Sequence, residues 1–276
     1  MDYKIIADSS VDVLDLKTVP CEIAPLKIIS SEKEYTDNSE LNVAEMVEEL
    51  KAYSGKTTTS CPAVSDWLNC FGESKYIFCI TLSSNISGSY NAASVAKQEY
   101  ETEHPDRKVF VVNSLSAGPQ LKLIAEKLEE LILSGKEFDK ICEEITAYQK
   151  HTKLIFMNES LTNFANNGRV SKAAAKIAGM LGIRIVGRAS EDGVLELLEK
   201  ARGEKKGISA ILKHLKEFGY KNGKVRIAHC FNKPLADFFE TVLKNEYGAR
   251  DVEIFQTRGL CSFYIEKGGV ILSFEI

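Results

Sequence analysis

Through the first half of the chain, short and continuously apolar runs alternate with longer stretches whose apolar side chains recur every three to four residues. This alternation limits the possible folds more than any other feature. Tyr3 to Ala7 reads as a strand, followed by a second extended stretch around Ile23 to Ile29. Val43, Met46, Val47 and Leu50 fall at helical spacing. Tyr76 to Thr81 has the pattern of a buried strand, Gly88 to Gln98 that of a helix, and Lys108 to Val112 that of another strand. Leu121, Ile124, Leu128, Leu131 and Ile132 share a helical face that Gly135 stops, and a further helix is expected near Phe138 to Tyr148. Strand and helix in strict alternation predict parallel βαβ units of the Rossmann-like kind, whose ligands sit at the carboxyl ends of the strands.

Near His151 the texture changes, which divides the chain into an N-terminal α/β domain, 1–150, and a C-terminal α+β domain, 151–276. The second part opens with Leu154 to Met157 and a helix starting near Ser160, followed by a polar turn at Asn166-Asn167-Gly168-Arg169 and a helical run from Ser171 to Leu181. Ile183 to Gly187 and Val194 to Leu198 form a hairpin across Asp192-Gly193, a favoured turn dipeptide. A helix from Glu204 to Phe218, a strand from Val225 to His229, a helix from Pro234 to Asn245 and strands near Val252 to Gln256 and Val270 to Phe274 complete a mixed sheet. The fold class expected is α/β with two domains and a ligand in the cleft between them.

With 276 residues, 44% of them hydrophobic and 27% charged, the chain has the composition of a globular protein with a sizeable core. Its apolar runs are too short to span a bilayer, and Met1 to Asp8 reads as a strand rather than a secretory leader, so a cytoplasmic protein without integral membrane association is expected. A net charge of −4 with neither sign massed in a block argues against nucleic-acid binding. The seven cysteines are odd in number and contain no C-x-x-C pair, and the four histidines are dispersed, so reduced core thiols are expected and no metal site.

Two hydroxyl-rich clusters stand out against this background: Thr57-Thr58-Thr59-Ser60-Cys61-Pro62 and Ser83-Ser84-Asn85-Ile86-Ser87-Gly88-Ser89-Tyr90, each running from a strand end toward a helix start. Either one alone reads as ordinary helix capping. Together they read as one anion-binding floor, because a helix N-terminus leaves N–H groups unpaired and short hydroxyl side chains add donors without bulk or charge. The G-x-S-x-G elbow, the P-loop and the G-x-G-x-x-G fingerprint are all missing, and no histidine is placed to activate a serine. Arg169, Arg202 and Lys205 supply cations, after a glycine turn and at the head of a helix, where an acidic or phosphorylated partner would meet them.

The order of Asp8-Ser9-Ser10, Thr59-Ser60-x-Pro62, Ser83-Ser84-x-x-Ser87-Gly88-x-Tyr90, Asn113-Ser114, Asn167-Gly168-Arg169-Val170-Ser171 and Lys200-Ala201-Arg202-Gly203 resembles the DegV family from end to end. The resemblance implies a non-enzymatic, two-domain α/β protein that buries a long-chain fatty acid between its domains. Several such proteins present that acid to a separate fatty acid kinase subunit. It further implies that Thr59, Ser60 and Ser87 bind the carboxylate, with Gly88 and Ser89 offering backbone N–H groups, that Arg169 and Arg202 face the kinase partner, and that no cofactor is needed. The chain departs from the family pattern at Cys61, Ser89 and Asn113. It also carries Phe263-Tyr264-Ile265-Glu266-Lys267-Gly268-Gly269 where the family usually has His-x-Gly-Pro-Gly. Tyr264 or Lys267 offers a substitute donor there, against the plainer reading of that stretch as strand and turn. The alternative function is an enzyme, or a subunit of one, acting on a phosphorylated small molecule held at the same floor. A long apolar cavity behind the floor favours the lipid, and a short polar pocket favours the phosphate ester.

Overall fold

The structure, a computed structural model, describes residues 2–171 and 182–276. The first half runs β1 (Tyr3–Asp8), β2 (Cys21–Ala24), β3 (Lys27–Ile29), β4 (Glu34–Thr36), α1 (Val43–Ala52), β5 (Thr58–Ser60), α2 (Val64–Phe71), β6 (Tyr76–Thr81), α3 (Ser89–Glu103), β7 (Lys108–Asn113), α4 (Pro119–Leu133) and α5 (Phe138–Tyr148). Strands β1, β2, β6 and β7 form a parallel sheet in the order β2-β1-β6-β7. Both of its faces are covered, which is why its strands are continuously apolar. Ile5, Phe78 and Ile80 pack under Leu121, Ile124 and Leu128 of α4. Ile6, Ile77 and Cys79 pack on the other side under Trp67 of α2 and Ala93 of α3.

The extended stretch expected over Ile23 to Ile29 is two strands in two different sheets. Pro25 divides them, having no N–H to continue a ladder. Beyond it β3 joins a small antiparallel sheet of order β4-β3-β5, in which Ile28 pairs with Thr59, so the first hydroxyl cluster is itself an edge strand.

The second half runs β8 (Thr152–Asn158), α6 (Thr162–Asn166), β9 (Ile183–Ala189), β10 (Leu195–Arg202), α7 (Glu204–Glu217), β11 (Val225–His229), α8 (Lys233–Tyr247), β12 (Val252–Gln256), α9 (Gly259–Ile265) and β13 (Val270–Glu275). Its sheet has the order β10-β9-β8-β13-β11-β12 and is mixed: β11 and β12 are parallel, the remaining pairs antiparallel. The expected hairpin is present, with a bulge between Leu197 and Glu199. The helical run expected from Ser171 lies, beyond that residue, outside the described residues. The stretch Phe263 to Gly269, read as strand and turn, instead begins in the helix Gly259–Ile265, whose first N–H groups find acceptors far away in sequence. Asp37 accepts from Gly259 and Leu260 at 2.8 Å each, and Asp12 from Arg258 at 2.7 Å.

One core draws on both halves: Ile28, Met46 and Val47 pack with Phe156, Ile185 and Phe263. A second link is ionic. Lys122 of α4, almost fully buried, lies between Asp15 (2.6 Å) and Glu253 (2.8 Å), and Arg226 of β11 forks onto Glu126 at 2.8 and 2.6 Å.

Candidate functional site

Asp8 ends β1 at full burial and organises the loop that follows β6. Its Oδ2 accepts the Leu82 N–H (2.8 Å) and the Ser89 hydroxyl (2.6 Å), and its Oδ1 accepts the Ser10 hydroxyl (2.5 Å). Asn113, at the end of β7, accepts the Ser84 N–H and donates to the Ser84 hydroxyl at 2.8 Å. Thus the carboxyl ends of three parallel strands hold the loop 82–88 in place. A methyl group at Gly88 would stand 3.1 Å from Cys61 Sγ, so this loop touches the chain just after β5 and the two hydroxyl clusters meet.

Where they meet, a cavity of about 270 Å³ opens between the carboxyl edge of the parallel sheet and one face of the mixed sheet. Thr59, Ser60, Ser87 and Gly88 line it together with Tyr264 and Arg169. The remaining wall is almost wholly apolar, including Leu26, Leu82, Leu154, Phe156, Ile265 and Ile271. Leu154 and Phe156 alternate along β8, and Ile271 is paired with Phe156 on β13, so a single sheet face supplies much of this wall.

Tyr264 is the residue that sequence reasoning set aside. The α9 turn carries it into the cavity, where its hydroxyl lies 2.9 Å from Thr59 Oγ1 and its ring stacks on Phe164 at 4.7 Å between centroids. Burial raises its pKa, which keeps the phenol a donor at neutral pH. The available signal was an aromatic pair, Phe263-Tyr264, in the stretch that departs from the family pattern. Lys267 is elsewhere, exposed and paired with Glu48 at 2.8 Å.

Ser89, grouped with the floor in the sequence, stands behind it. Its side chain is fully buried on Asp8, and its N–H donates to Ser87 Oγ at 3.3 Å. Arg169 turns toward the cavity, with Nε donating to the Ile86 carbonyl at 3.0 Å and the guanidinium also donating to the Asn167 carbonyl. Arg202 ends β10 as an exposed side chain away from the cavity lining, and Lys205 is likewise exposed. Among the described residues, no group of histidine, cysteine or acidic side chains has metal-binding geometry, and no helix is long and apolar enough to cross a membrane.

Three buried aspartates under the site all titrate high because burial disfavours their charge. Asp8 is pushed up to about 6, Asp12 to about 8 with Asp37 adding repulsion, and Asp37 is raised as well. Between the ordinary carboxylate value near 3.8 and about 8, the folded protein holds more protons here than the unfolded chain does, so stability falls as pH rises through that window. Carboxylates held low by cations, such as Asp251 beside Arg226, act oppositely and lose their contribution only in stronger acid. The melting temperature is therefore expected to be higher at pH 5.5 than at pH 8.5. Asp12→Asn should flatten that slope, as read by thermal melts across a pH series.

This combination defines a class: an α/β protein in which a parallel four-stranded sheet and a mixed six-stranded sheet enclose an apolar cavity floored by hydroxyl groups. A family model described as "Uncharacterised protein, DegV family" matches residues 2–275, and the chain belongs to the DegV family. It is 39% identical over 280 residues to a DegV domain-containing protein of Streptococcus pneumoniae, with 100% of both chains covered. Its fold is similar to that of a DegV family protein from Eubacterium eligens loaded with heptadecanoic acid, at a TM-score of 0.97 and 40% identity over 99% of each chain. It is equally similar to the Fatty Acid Kinase (Fak) B3 protein of Streptococcus pneumoniae loaded with linoleic acid, at a TM-score of 0.97 and 39% identity over 100% of each chain.

Proposed function

We propose that this protein binds a long-chain fatty acid, with the carboxylate on Thr59, Ser60, Ser87 and the Gly88 backbone and the acyl chain in the apolar cavity. The observation that carries this reading is the shape of the polarity: hydroxyl donors gather where the two clusters meet, and the wall beyond them is aliphatic and aromatic. A phosphate ester would leave that wall without a matching surface, whereas each acyl methylene placed against it contributes about 0.8 kcal/mol. The two relatives solved with heptadecanoic and linoleic acid support the same ligand class. Mass spectrometry of the purified, denatured protein tests it directly. Recovery of stoichiometric fatty acid is expected, and a lipid-free protein that also fails to take up added oleate would overturn the proposal.

In this reading the chain divides near residue 150 into two units that share the ligand, and it acts as a binding protein that presents the carboxylate to a separate kinase subunit. Arg202, on an open face, is the candidate contact for that partner, with Arg169 nearer the headgroup. Tyr264 joins the carboxylate site: hydrogen-bonded to Thr59, it either donates to the ligand or orients the Thr59 proton toward it. Tyr264→Phe keeps the ring stacked on Phe164 and removes only the hydroxyl. Oleate affinity is expected to fall by about 10-fold, the worth of roughly 1.5 kcal/mol for one hydrogen bond to a charged group. Fluorescence displacement titration checks this.

A further inference from the structure

We infer that the β9–β10 hairpin is a latch across the cavity, and that its docked tip, Asp192-Gly193, governs how fast a fatty acid enters and leaves. The inference rests on the fatty-acid reading of the cavity. The hairpin is the outer ribbon of the mixed sheet, and among the described residues β10 is bonded only to β9 in the sheet order. Hairpin tips are ordinarily solvated, yet Gly193 is buried. The tip reaches the other half of the protein, where Asn85 Nδ2 donates to the Asp192 carbonyl at 2.6 Å. Gly193 has φ +71°, and a Cβ there would collide with Ser83 Oγ and stand 2.8 Å from Leu115 Cα. Glycine is thus required at this position both for the backbone conformation and for the room.

Both partners in this contact adjoin the cavity wall without being part of it. Asn85 directly precedes Ile86, Ser87 and Gly88, and Leu195 follows Gly193 by two residues; all four of these neighbours line the cavity. Lifting the tip draws Leu195 off the cavity and uncovers the Asn85 side of the loop, which Asp8 and Asn113 still hold in place. Among the described residues, the tip holds the other half of the protein through one exposed hydrogen bond and the packing of Gly193, while the exposed Glu191 pairs with Lys153 of its own sheet at 2.6 Å; so small and solvent-facing a hold lies at the readily opened end of the structure's stability range. A latch of this kind changes uptake and release together and leaves the equilibrium nearly untouched, since it contacts the route and not the headgroup.

Stopped-flow release and uptake of cis-parinaric acid by Asn85→Ala and Gly193→Val test the inference. Asn85→Ala is expected to speed both rates about fivefold, the worth of one lost hydrogen bond, and Gly193→Val by more than 10-fold, with Kd changed less than threefold. Rates within twofold of the parent in both variants, or a weakened Kd with unchanged uptake, would overturn the latch. If the parent protein takes up no fatty acid, the ligand reading fails instead, and amide hydrogen exchange of 83–88 decides the latch by itself. Faster exchange in Asn85→Ala supports it, and equal exchange refutes it.

Discussion

Replacing Thr59 and Ser87 together by alanine is expected to weaken binding of a long-chain fatty acid by roughly 2 to 4 kcal/mol, about 30-fold to nearly 1,000-fold in Kd. A carboxylate leaving water loses several strong hydrogen bonds, and burial is unfavourable unless the protein restores them. Each hydroxyl bonded to a charged acceptor restores about 1.5 to 3 kcal/mol, and the two losses overlap because the ligand shifts toward the donors that remain. Both hydroxyls are held in advance. Thr59 is pinned by its pairing with Ile28 and its bond to Tyr264, while Ser87 sits on the loop that Asp8 and Asn113 fix. Ser87 Oγ already accepts the Ser89 N–H, which leaves its proton for an acceptor in the cavity. Isothermal titration with oleate measures the effect, and a fatty acid methyl ester supplies the control. Against the parent protein the ester should bind more weakly than the acid, and against the double variant acid and ester should converge. An unchanged oleate affinity would place the headgroup elsewhere.

Arg226→Ala is expected to destabilise the fold by about 3 kcal/mol, the lower end of the range for breaking a buried ion pair. Arg226 is 5% exposed and meets Glu126 through two nitrogens, Asp251 at 2.7 Å and Glu253 at 3.4 Å. Without it three carboxylates face one another across the junction of α4 with β11 and β12. The partly exposed positions of Asp251 and Glu253 let water relieve some of the repulsion, which is why the lower end of the range applies. Arg226→Lys keeps the charge and loses the fork, so about 1 kcal/mol is expected for it. Urea unfolding monitored by circular dichroism distinguishes the two variants. Equal stability of Arg226→Ala and the parent would mean that the halves are held by their shared apolar core alone.

The secondary structure was legible in the sequence wherever burial dictates a period. The strands at Tyr76 to Thr81 and Lys108 to Val112 and the α4 stripe follow from side chains that must avoid water. Gly135 and Asp192-Gly193 mark their turns because backbone conformations there favour glycine. What went unread was local structure imposed from a distance. Pro25 separates two strands that join different sheets, β2 on β1 and β3 between β4 and β5, and the apolar run itself does not show the change of partner. Residues Gly259 to Ile265 are helical because Asp37 and Asp12, more than 200 positions earlier, accept the first N–H groups.

By itself, the sequence determined an α/β chain, the family to which it belongs, and the positions of two hydroxyl-rich clusters, because hydrophobic periodicity and turn chemistry are written residue by residue. Only the tertiary structure decided that Thr59 and Ser87 share a cavity, that Tyr264 closes on Thr59, and that Ser89 serves Asp8 behind the floor. Those facts depend on which strand ends, helix turns and hairpin tips are packed against one another. Burial and hydrogen bonding settle that packing across the whole chain, and no short stretch of residues encodes it alone.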